Sequence, residues 1–351
     1  MRVGIDVSQA VYGTGVSDYT IELVCNLQCV EVVPVGFSLR RQSDLKRLFP
    51  QVAVYPIPPT ALDWLWNRLH VVNFENFAPG NIDIYHSSDW AQAPDSSKKV
   101  TTIHDLSPLL FPRESDPRIV SVHQARLRWV VKECDAVICV SKNSAADFQK
   151  LFDYPTSKIN VIPEALPSRF LLKPNGYNLE PYLVAIGARQ PRKNIPRLIS
   201  AWQKFRHKFN LPEKLVIIGE PPQPSHLKGV IPKSPEVEFT GYVSDQKLID
   251  LIAGAAAFVY PSLYEGFGLP ILIAFHHRVP VACSNTSSIP EVAGPAATYF
   301  DPENEESMAS GIASAIKNRR QLITTGSKQL TKFSWTKTAQ STLTVYKNIL
   351  S

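Results

Sequence analysis

Two periodicities alternate along this chain, and that alternation limits the fold more than any other feature. Short β-branched runs at 2–7, 30–36, 82–87, 100–104, 136–140 and 158–162 are separated by amphipathic stretches such as 18–27 and 119–132. The pattern then restarts, with strand-like runs at 183–186, 214–218, 237–240, 256–259, 279–282 and 298–300 and helical periodicity at 194–209, 245–253 and 307–317. Strands that alternate with helical segments build parallel sheets covered on both faces. Between the two sets, Pro163, Pro167, Pro174 and Gly176 crowd into one short stretch, the composition of a linker. The expected fold is α/β: two doubly wound Rossmann-like domains facing a central cleft. Residues 1–170 would form the first and 171–333 the second, with a last helix inside 334–351 packing back on the first. Ligands of such sheets sit at the carboxyl ends of the strands.

A chain of 351 residues is long enough for two domains, each with its own core. It contains no uninterrupted apolar run of the length, about 18 residues, that a spanning helix needs. The opening Met1-Arg2-Val3-Gly4-Ile5-Asp6 reads as a strand, not as a signal peptide, so a cytoplasmic location is expected. The five cysteines are odd in number. Cys25 and Cys29 lie four apart, but no histidine or further cysteine is near them, so core thiols are expected and not a metal site. Charge is uneven. Residues 1–170 carry 17 Lys+Arg against 18 Asp+Glu, and residues 171–351 carry 20 against 13. A basic second half suits an anionic ligand such as a nucleotide diphosphate. Nucleic acid is not expected, because there is no long basic run and no aromatic-interleaved motif.

The most informative stretch runs from Phe258 to Pro302. A strand ends near Pro261, a turn carries Glu265, Gly266, Phe267 and Gly268, and Leu269-Pro270 opens a helix. The two glycines let backbone approach a ligand closely. The unpaired N–H groups and dipole of the new helix favour phosphate in front of it. Upstream, Arg192 offers a fork of donors and Lys193 a compact charge, again just before a helix. His104 closes a strand with Asp105 beside it; neighbours on an extended strand face opposite ways, so the pair is not read as a catalytic dyad.

The 258–302 stretch resembles the signature of family 4 retaining glycosyltransferases, the GT-B group 1 enzymes that include mannosyltransferases. The resemblance extends over nearly the whole chain. Gly13-Thr14-Gly15 with Tyr19 is similar to the family's first glycine loop, and Thr102-Ile103-His104-Asp105-Leu106-Ser107-Pro108 to its histidine-aspartate loop. Val140-Ser141-Lys142-Asn143-Ser144 resembles the serine motif before a helix, and Val161-Ile162-Pro163-Glu164 the segment entering the linker. Pro191-Arg192-Lys193-Asn194 resembles the basic motif that holds the diphosphate, and Gly241-Tyr242-Val243-Ser244 the turn whose backbone meets the nucleobase. The resemblance implies a retaining hexosyltransferase, with mannose as the family-level expectation for the sugar. Catalytic roles fall to His104, Glu265, Arg192 and Lys193. The donor would lie against Gly13, Gly15, Val243, Gly266, Phe267, Gly268, Leu269 and His277 as well. Thr14, Asp105 and Ser141 would stand on the acceptor side. The implied partners are a nucleotide-diphosphate sugar and a saccharide or lipid-linked saccharide. No metal or other cofactor is implied, since fixed cations can neutralise the leaving diphosphate.

Four positions depart from the family's pattern. Its second glutamate, which binds the ribose hydroxyls eight residues after the first, is Ile273 here, and His276-His277-Arg278 replace small residues and a glycine. Side chains one turn apart share a helix face, so His276 or His277 could cover the vacant place, with Glu291 a further candidate. The alternative is a catalytically silent glycosyltransferase-like protein that binds a saccharide or partners an active enzyme. A nicotinamide oxidoreductase is disfavoured because Asp18 stands where a dinucleotide loop needs its third glycine. Aromatic and basic residues at 58–77 (Trp64, Leu65, Trp66, Phe74) and at 118–132 (Arg126, Arg128, Trp129, Val130, Val131, Lys132) fit either core packing or peripheral contact with the inner face of a membrane.

Overall fold

The computed structural model describes residues 1–176, 181–187, 189–212, 214–221 and 235–351. They form two compact units, one of Met1–Pro167 with Ser334–Ser351 and the other of Ser168–Phe333.

In the first unit, β1 (Arg2–Asp6), β2 (Glu31–Phe37), β3 (Ala53–Tyr55), β4 (Ile84–Ser87), β5 (Lys98–Ile103), β6 (Ala136–Cys139) and β7 (Ile159–Val161) make one sheet. Its order is β3-β2-β1-β4-β5-β6-β7, and every pairing is parallel. The central strands read as continuous apolar runs because helices cover both faces; β4 and β6 are buried throughout. Helix Gly15–Asn26 starts on a reciprocal cap in which Thr14 accepts from the Ser17 N–H and the Ser17 side chain from the Thr14 N–H. The final helix, Trp335–Leu350, lies on this unit. Trp335 donates to the Leu166 carbonyl at 3.1 Å, and the Tyr346 hydroxyl stands 2.6 Å from His86 Nδ1.

In the second unit, β8 (Tyr182–Ile186), β9 (Lys214–Ile218), β10 (Val237–Phe239), β11 (Ala257–Tyr260), β12 (Val281–Ser284) and β13 (Ala297–Phe300) form a second parallel sheet, ordered β10-β9-β8-β11-β12-β13. Helix Ile195–Phe209 packs Leu198, Ile199 and Trp202 onto it, together with Met308 and Ile312 of helix Glu305–Lys317. Each sheet reverses its strand order once, between β1 and β4 in the first and between β8 and β11 in the second. A crevice opens at such a reversal, outside the carboxyl ends of the two strands. The loops that follow these four strands hold most of the residues singled out above.

The strand expectations agree to within two residues at each end. β3 was not among them: it is three residues long and stands at the sheet edge, too short for a periodicity to register. The cysteine expectation needs a correction. Cys134, Cys139 and Cys283 are buried, but Cys25 and Cys29 are exposed free thiols, because the helix bearing Cys25 ends at Asn26 and the chain turns out at Cys29 with φ 68°.

Trp202 is fully buried and its indole donates to the Pro212 carbonyl at 2.9 Å. Trp202→Ala should destabilise the second unit by about 3–5 kcal/mol, read from urea unfolding midpoints, through the cavity it leaves and the carbonyl it strands.

Candidate active site

The reversal point of the second sheet brings two loops together. After β8, Gly187 turns with φ 95° and the chain runs into a single 3-10 turn, Pro191–Lys193. After β11 comes the glycine turn. Arg192 Nη1 donates to Glu265 Oε2 at 2.9 Å and to the Tyr264 carbonyl at 2.8 Å, and Lys193 Nζ donates to Glu265 Oε1 at 2.6 Å. All three charged side chains are nearly buried. Burial alone would raise the Glu265 carboxyl. Lys193, then Arg192, and their hydrogen bonds outweigh it and hold the group at about 2. The ammonium also stands 5.4 Å from the Tyr260 ring centre, with the phenol oxygen at 3.4 Å.

Several side chains outside the expected set hold this arrangement. A Cβ on Gly187 would stand 3.1–3.2 Å from three carbons of the Lys193 stem, so glycine there lets the lysine lie across the backbone. Asn194, in the left-handed region with φ 58°, donates to the carbonyls of Pro261 and Pro302 at 3.1 and 2.8 Å and staples the two loops. Ser287 and Ser288 both donate to the Glu265 carbonyl, at 2.7 and 2.9 Å, and Ser288 also to that of Phe267 at 2.8 Å. Gly268 caps helix Leu269–His276 in a left-handed conformation, φ 109°, with Pro270 in the first turn. Gly266 and Phe267 are buried, while Leu269 is half-buried. At the other edge of this unit Gly241 turns with φ 67° and bridges to Gly219; Tyr242 projects 91% exposed beside half-buried Val243.

The carboxyl ends of β1, β5 and β6 in the first sheet hold further candidates. Gly13 adopts φ 69°, and Gly13, Thr14 and Gly15 are exposed at the start of their helix. A Cβ on Gly15 would meet nothing within 4 Å, so the fold itself does not require glycine there and the space in front of the helix stays clear. His104 is buried, with Nδ1 donating to Glu164 Oε1 at 2.9 Å and its ring 4.5 Å edge-on from Tyr19. Fixing Nδ1 on a carboxylate sets the ring orientation and leaves Nε2 for other contacts. The Tyr19 hydroxyl meets Thr102 Oγ1 at 3.0 Å, and His86 Nε2 meets the same oxygen at 3.0 Å. Burial, helped by nearby His104 and Arg126, pushes His86 down to about 3, so it serves the network as a neutral ring. Asp105 accepts from the Ser107 N–H and shapes its own loop; Ser141 caps helix Lys142–Phe152. Glu164 was noted in the sequence only as part of a segment, and its role beside His104, sixty residues away, is a product of the fold. Among the described residues, no three His, Cys, Asp or Glu side chains gather in a way that could hold a metal ion.

Comparison with known proteins joins these two halves. The family model "Glycosyltransferase Family 4" matches residues 14–167, and "Glycosyl transferases group 1" matches 172–329. The O-antigen chain mannosyltransferase B of Escherichia coli is 31% identical over 282 residues, which cover 75% of this chain and 74% of that protein. The chain is a group 1 glycosyltransferase. The O-antigen chain mannosyltransferase RfbU of Salmonella typhimurium is 32% identical to the transferase over 63% of its chain and 60% of RfbU's own length. The Anabaena protein Alr3699/HepE, solved in complex with UDP and glucose, matches with a TM-score of 0.71 at 15% identity, over 99% of this chain and all of that one. That likeness identifies the transferase fold as GT-B.

The departure from the family also has a definite setting. Ile273 is buried in helix Leu269–His276 among Ile271, Leu272, Ala274 and Phe275. His277 Nε2 donates to the Phe170 carbonyl at 3.1 Å, and His276 engages the backbone of Leu171. The two rings meet edge to face, 4.9 Å apart. To reach a ribose through Nε2, His277 would have to give up the Phe170 bond. Arg278 takes φ 59°, so the helix ends in the left-handed turn a glycine would favour, with arginine bearing the strain. Glu291 is exposed in the first turn of helix Ile289–Ala293.

Glu265→Gln leaves two buried cations without their counter-charge and should destabilise the transferase by about 3–5 kcal/mol at neutral pH. Because the native carboxyl is depressed, its contribution is full above the unfolded value near 4.5 and is lost as pH falls towards about 2. Denaturant titrations of both proteins from pH 7 to pH 2.5 should therefore converge at the acid end; a constant gap would mean that the ion pair is not its source.

Proposed function

We propose that this glycosyltransferase moves a hexose, with mannose the sugar we favour, from a nucleotide diphosphate to a saccharide or lipid-linked saccharide, with retention at the anomeric carbon. The observation that carries the reading is the Arg192–Lys193–Glu265 cluster at the sheet reversal, beside a turn that opens a helix N-terminus. Its net charge is positive, and it stands where phosphate is favoured twice over, by fixed cations and by the helix dipole. In the transfer, the bond from the anomeric carbon to the diphosphate oxygen breaks and the acceptor oxygen bonds to the same face. The acceptor proton passes to the departing phosphate oxygen. The protein's part is to position the two reactants and to stabilise the charge on the leaving group. In this reading Glu265 orients sugar hydroxyls and His104 Nε2 contacts the sugar or the diphosphate. Mannose is supported by the names of the two O-antigen relatives. A silent protein is not favoured: the cations and the glycine turn are in place, and Ile273 removes one ribose contact rather than the diphosphate site. We propose that no metal is needed.

Thermal shift against guanosine, uridine and adenosine diphosphates and their sugars should find one base that stabilises the protein. Arg192→Ala or Lys193→Ala should lower kcat by about 10²–10³, and a chelator should change the rate little. A product whose anomeric configuration is inverted would overturn the reading.

A peripheral membrane site is the finer part of the proposal. Among the described residues no helix is long and apolar enough to cross a membrane. Trp66, Phe74, Val130 and Arg126, which could have faced lipid, are core residues. Trp64, by contrast, is 64% exposed and shares its segment with exposed Leu69, Val71 and Val72. Arg118 and Arg128 are exposed too, and Lys132 lies over the Trp129 ring at 4.7 Å. Apolar side chains that project from a basic surface suit an anionic bilayer. Co-sedimentation with phosphatidylglycerol vesicles at low salt should fall several-fold in Trp64→Ala with Leu69→Ala; equal binding would place contact elsewhere.

A further inference from the structure

The final helix, Trp335–Leu350, joins the first unit only after the chain has built the whole of the second. Four of its buried side chains carry polar atoms: Trp335, Thr338, Thr342 and Tyr346. Their spacing of three or four puts them on one face of the helix. That face meets the supports of His104. Thr338 donates to the Pro163 carbonyl at 2.8 Å and Trp335 to that of Leu166 at 3.1 Å. These bonds bracket Glu164, the carboxylate that receives His104 Nδ1, and fix its backbone on both sides.

The same helix holds Tyr19, whose ring stands edge-on to His104. The Trp335 ring backs Tyr19 at 5.7 Å, and the Thr342 side chain meets its hydroxyl. The direction of every hydrogen bond here follows from one end. Burial pushes the Tyr19 and Tyr346 phenols up, so each keeps its single proton. Thr342 gives its proton to the Thr338 carbonyl at 2.9 Å, which can only accept. Thr342 must therefore accept from Tyr19. Tyr19, its proton used, accepts from Thr102 at 3.0 Å, and Thr102 in turn accepts from His86 Nε2–H at 3.0 Å. His86 is neutral, so its Nδ1 is bare and takes the proton of Tyr346 at 2.6 Å. Each hydroxyl donates once, and the chain of bonds begins and ends on the final helix.

We infer that the final helix is a positioning element for His104, acting through Glu164 on one side of the ring and Tyr19 on the other. One hydrogen bond at Nδ1 settles which nitrogen carries the proton. It leaves the ring plane free to turn about that bond, and the edge of Tyr19 removes this freedom. Nε2 is then aimed in advance, which is what a group that contacts the reacting sugar or diphosphate needs. The inference rests on the role given to His104 above. It adds Tyr19, Trp335, Thr338, Thr342 and Tyr346 as residues that act through it.

The test uses the full chain with Thr338→Val and Thr342→Val, each of which keeps the side-chain shape and removes a hydroxyl. Release of GDP from GDP-mannose, with methyl α-mannoside as acceptor, should slow about tenfold in each, with both KM values unchanged. Thr342→Ser should restore most of the rate. Nitrogen-edited NMR of the histidine rings gives a second readout. In the native chain His86 should show only the Nε2–H tautomer and His104 a proton on Nδ1, and either valine variant should shift the His104 signals. Two results overturn the inference alone. One is an Nδ1–H tautomer at His86 in the native chain; the other is a pair of valine variants with lowered urea midpoints but native rate and native His104 signals. Full turnover in His104→Ala would instead sink the role given to His104, and this inference with it. If the chain releases no GDP, the choice of donor fails by itself, and the ring spectra still decide.

Discussion

The second unit of this protein depends on one carboxylate held by two cations. Glu265 reaches Lys193 and Arg192 in a nearly dry crevice, and each of the three would be untenable there alone. Together they form a cluster with one excess positive charge, surrounded by backbone carbonyls fixed by Ser287, Ser288 and Asn194. A diphosphate entering such a site does not have to create a positive pocket. It shares cations that are already desolvated and aimed, and so avoids much of the reorganisation that a solvent-exposed lysine would require. The same cluster explains why Gly187 and Gly268 are glycines: one clears the Lys193 stem, and the other starts the next helix in a conformation closed to most residues.

The first unit is built on different terms. Its buried groups are mostly neutral or paired one to one. His86 is held uncharged between Thr102 and Tyr346, and His104 is matched to Glu164. Arg126, almost wholly buried, is spent on Thr101 and Asp89. Buried charge is therefore not confined to the second unit: Asp6, Asp18, Glu22, Asp95, Arg126 and Glu164 are all buried in the first.

Much of this could be read before any coordinates. The alternation of strand and helix periodicities implied two parallel sheets, and the motifs fell on the loops at their carboxyl ends. What could not be read is pairing at long range. Glu164 and His104 are joined across sixty positions, Asn194 and Pro302 across 108, and nothing local marks either partner. The stretch around Trp64 and Trp66 shows the limit in another form. Two tryptophans two residues apart differ completely in exposure, because a π-helical turn, Asp63–Arg68, sends one inward and the other out.

Ile273 is best understood from the helix that carries it. Helix Leu269–His276 is buried along most of its length, and its end is held by His276 and His277 against residues 170 and 171. A glutamate at 273 would bring a second carboxylate into this buried helix. Isoleucine removes that burden and adds apolar contact, at the cost of a ribose acceptor worth on the order of 1.5–3 kcal/mol. In the proposed donor site that cost would fall on the nucleoside and not on the diphosphate, which Arg192, Lys193 and the glycine turn would hold. If the proposed donor site is right, the Gly241–Ser244 turn with its exposed Tyr242 is left as the candidate for reading the nucleobase.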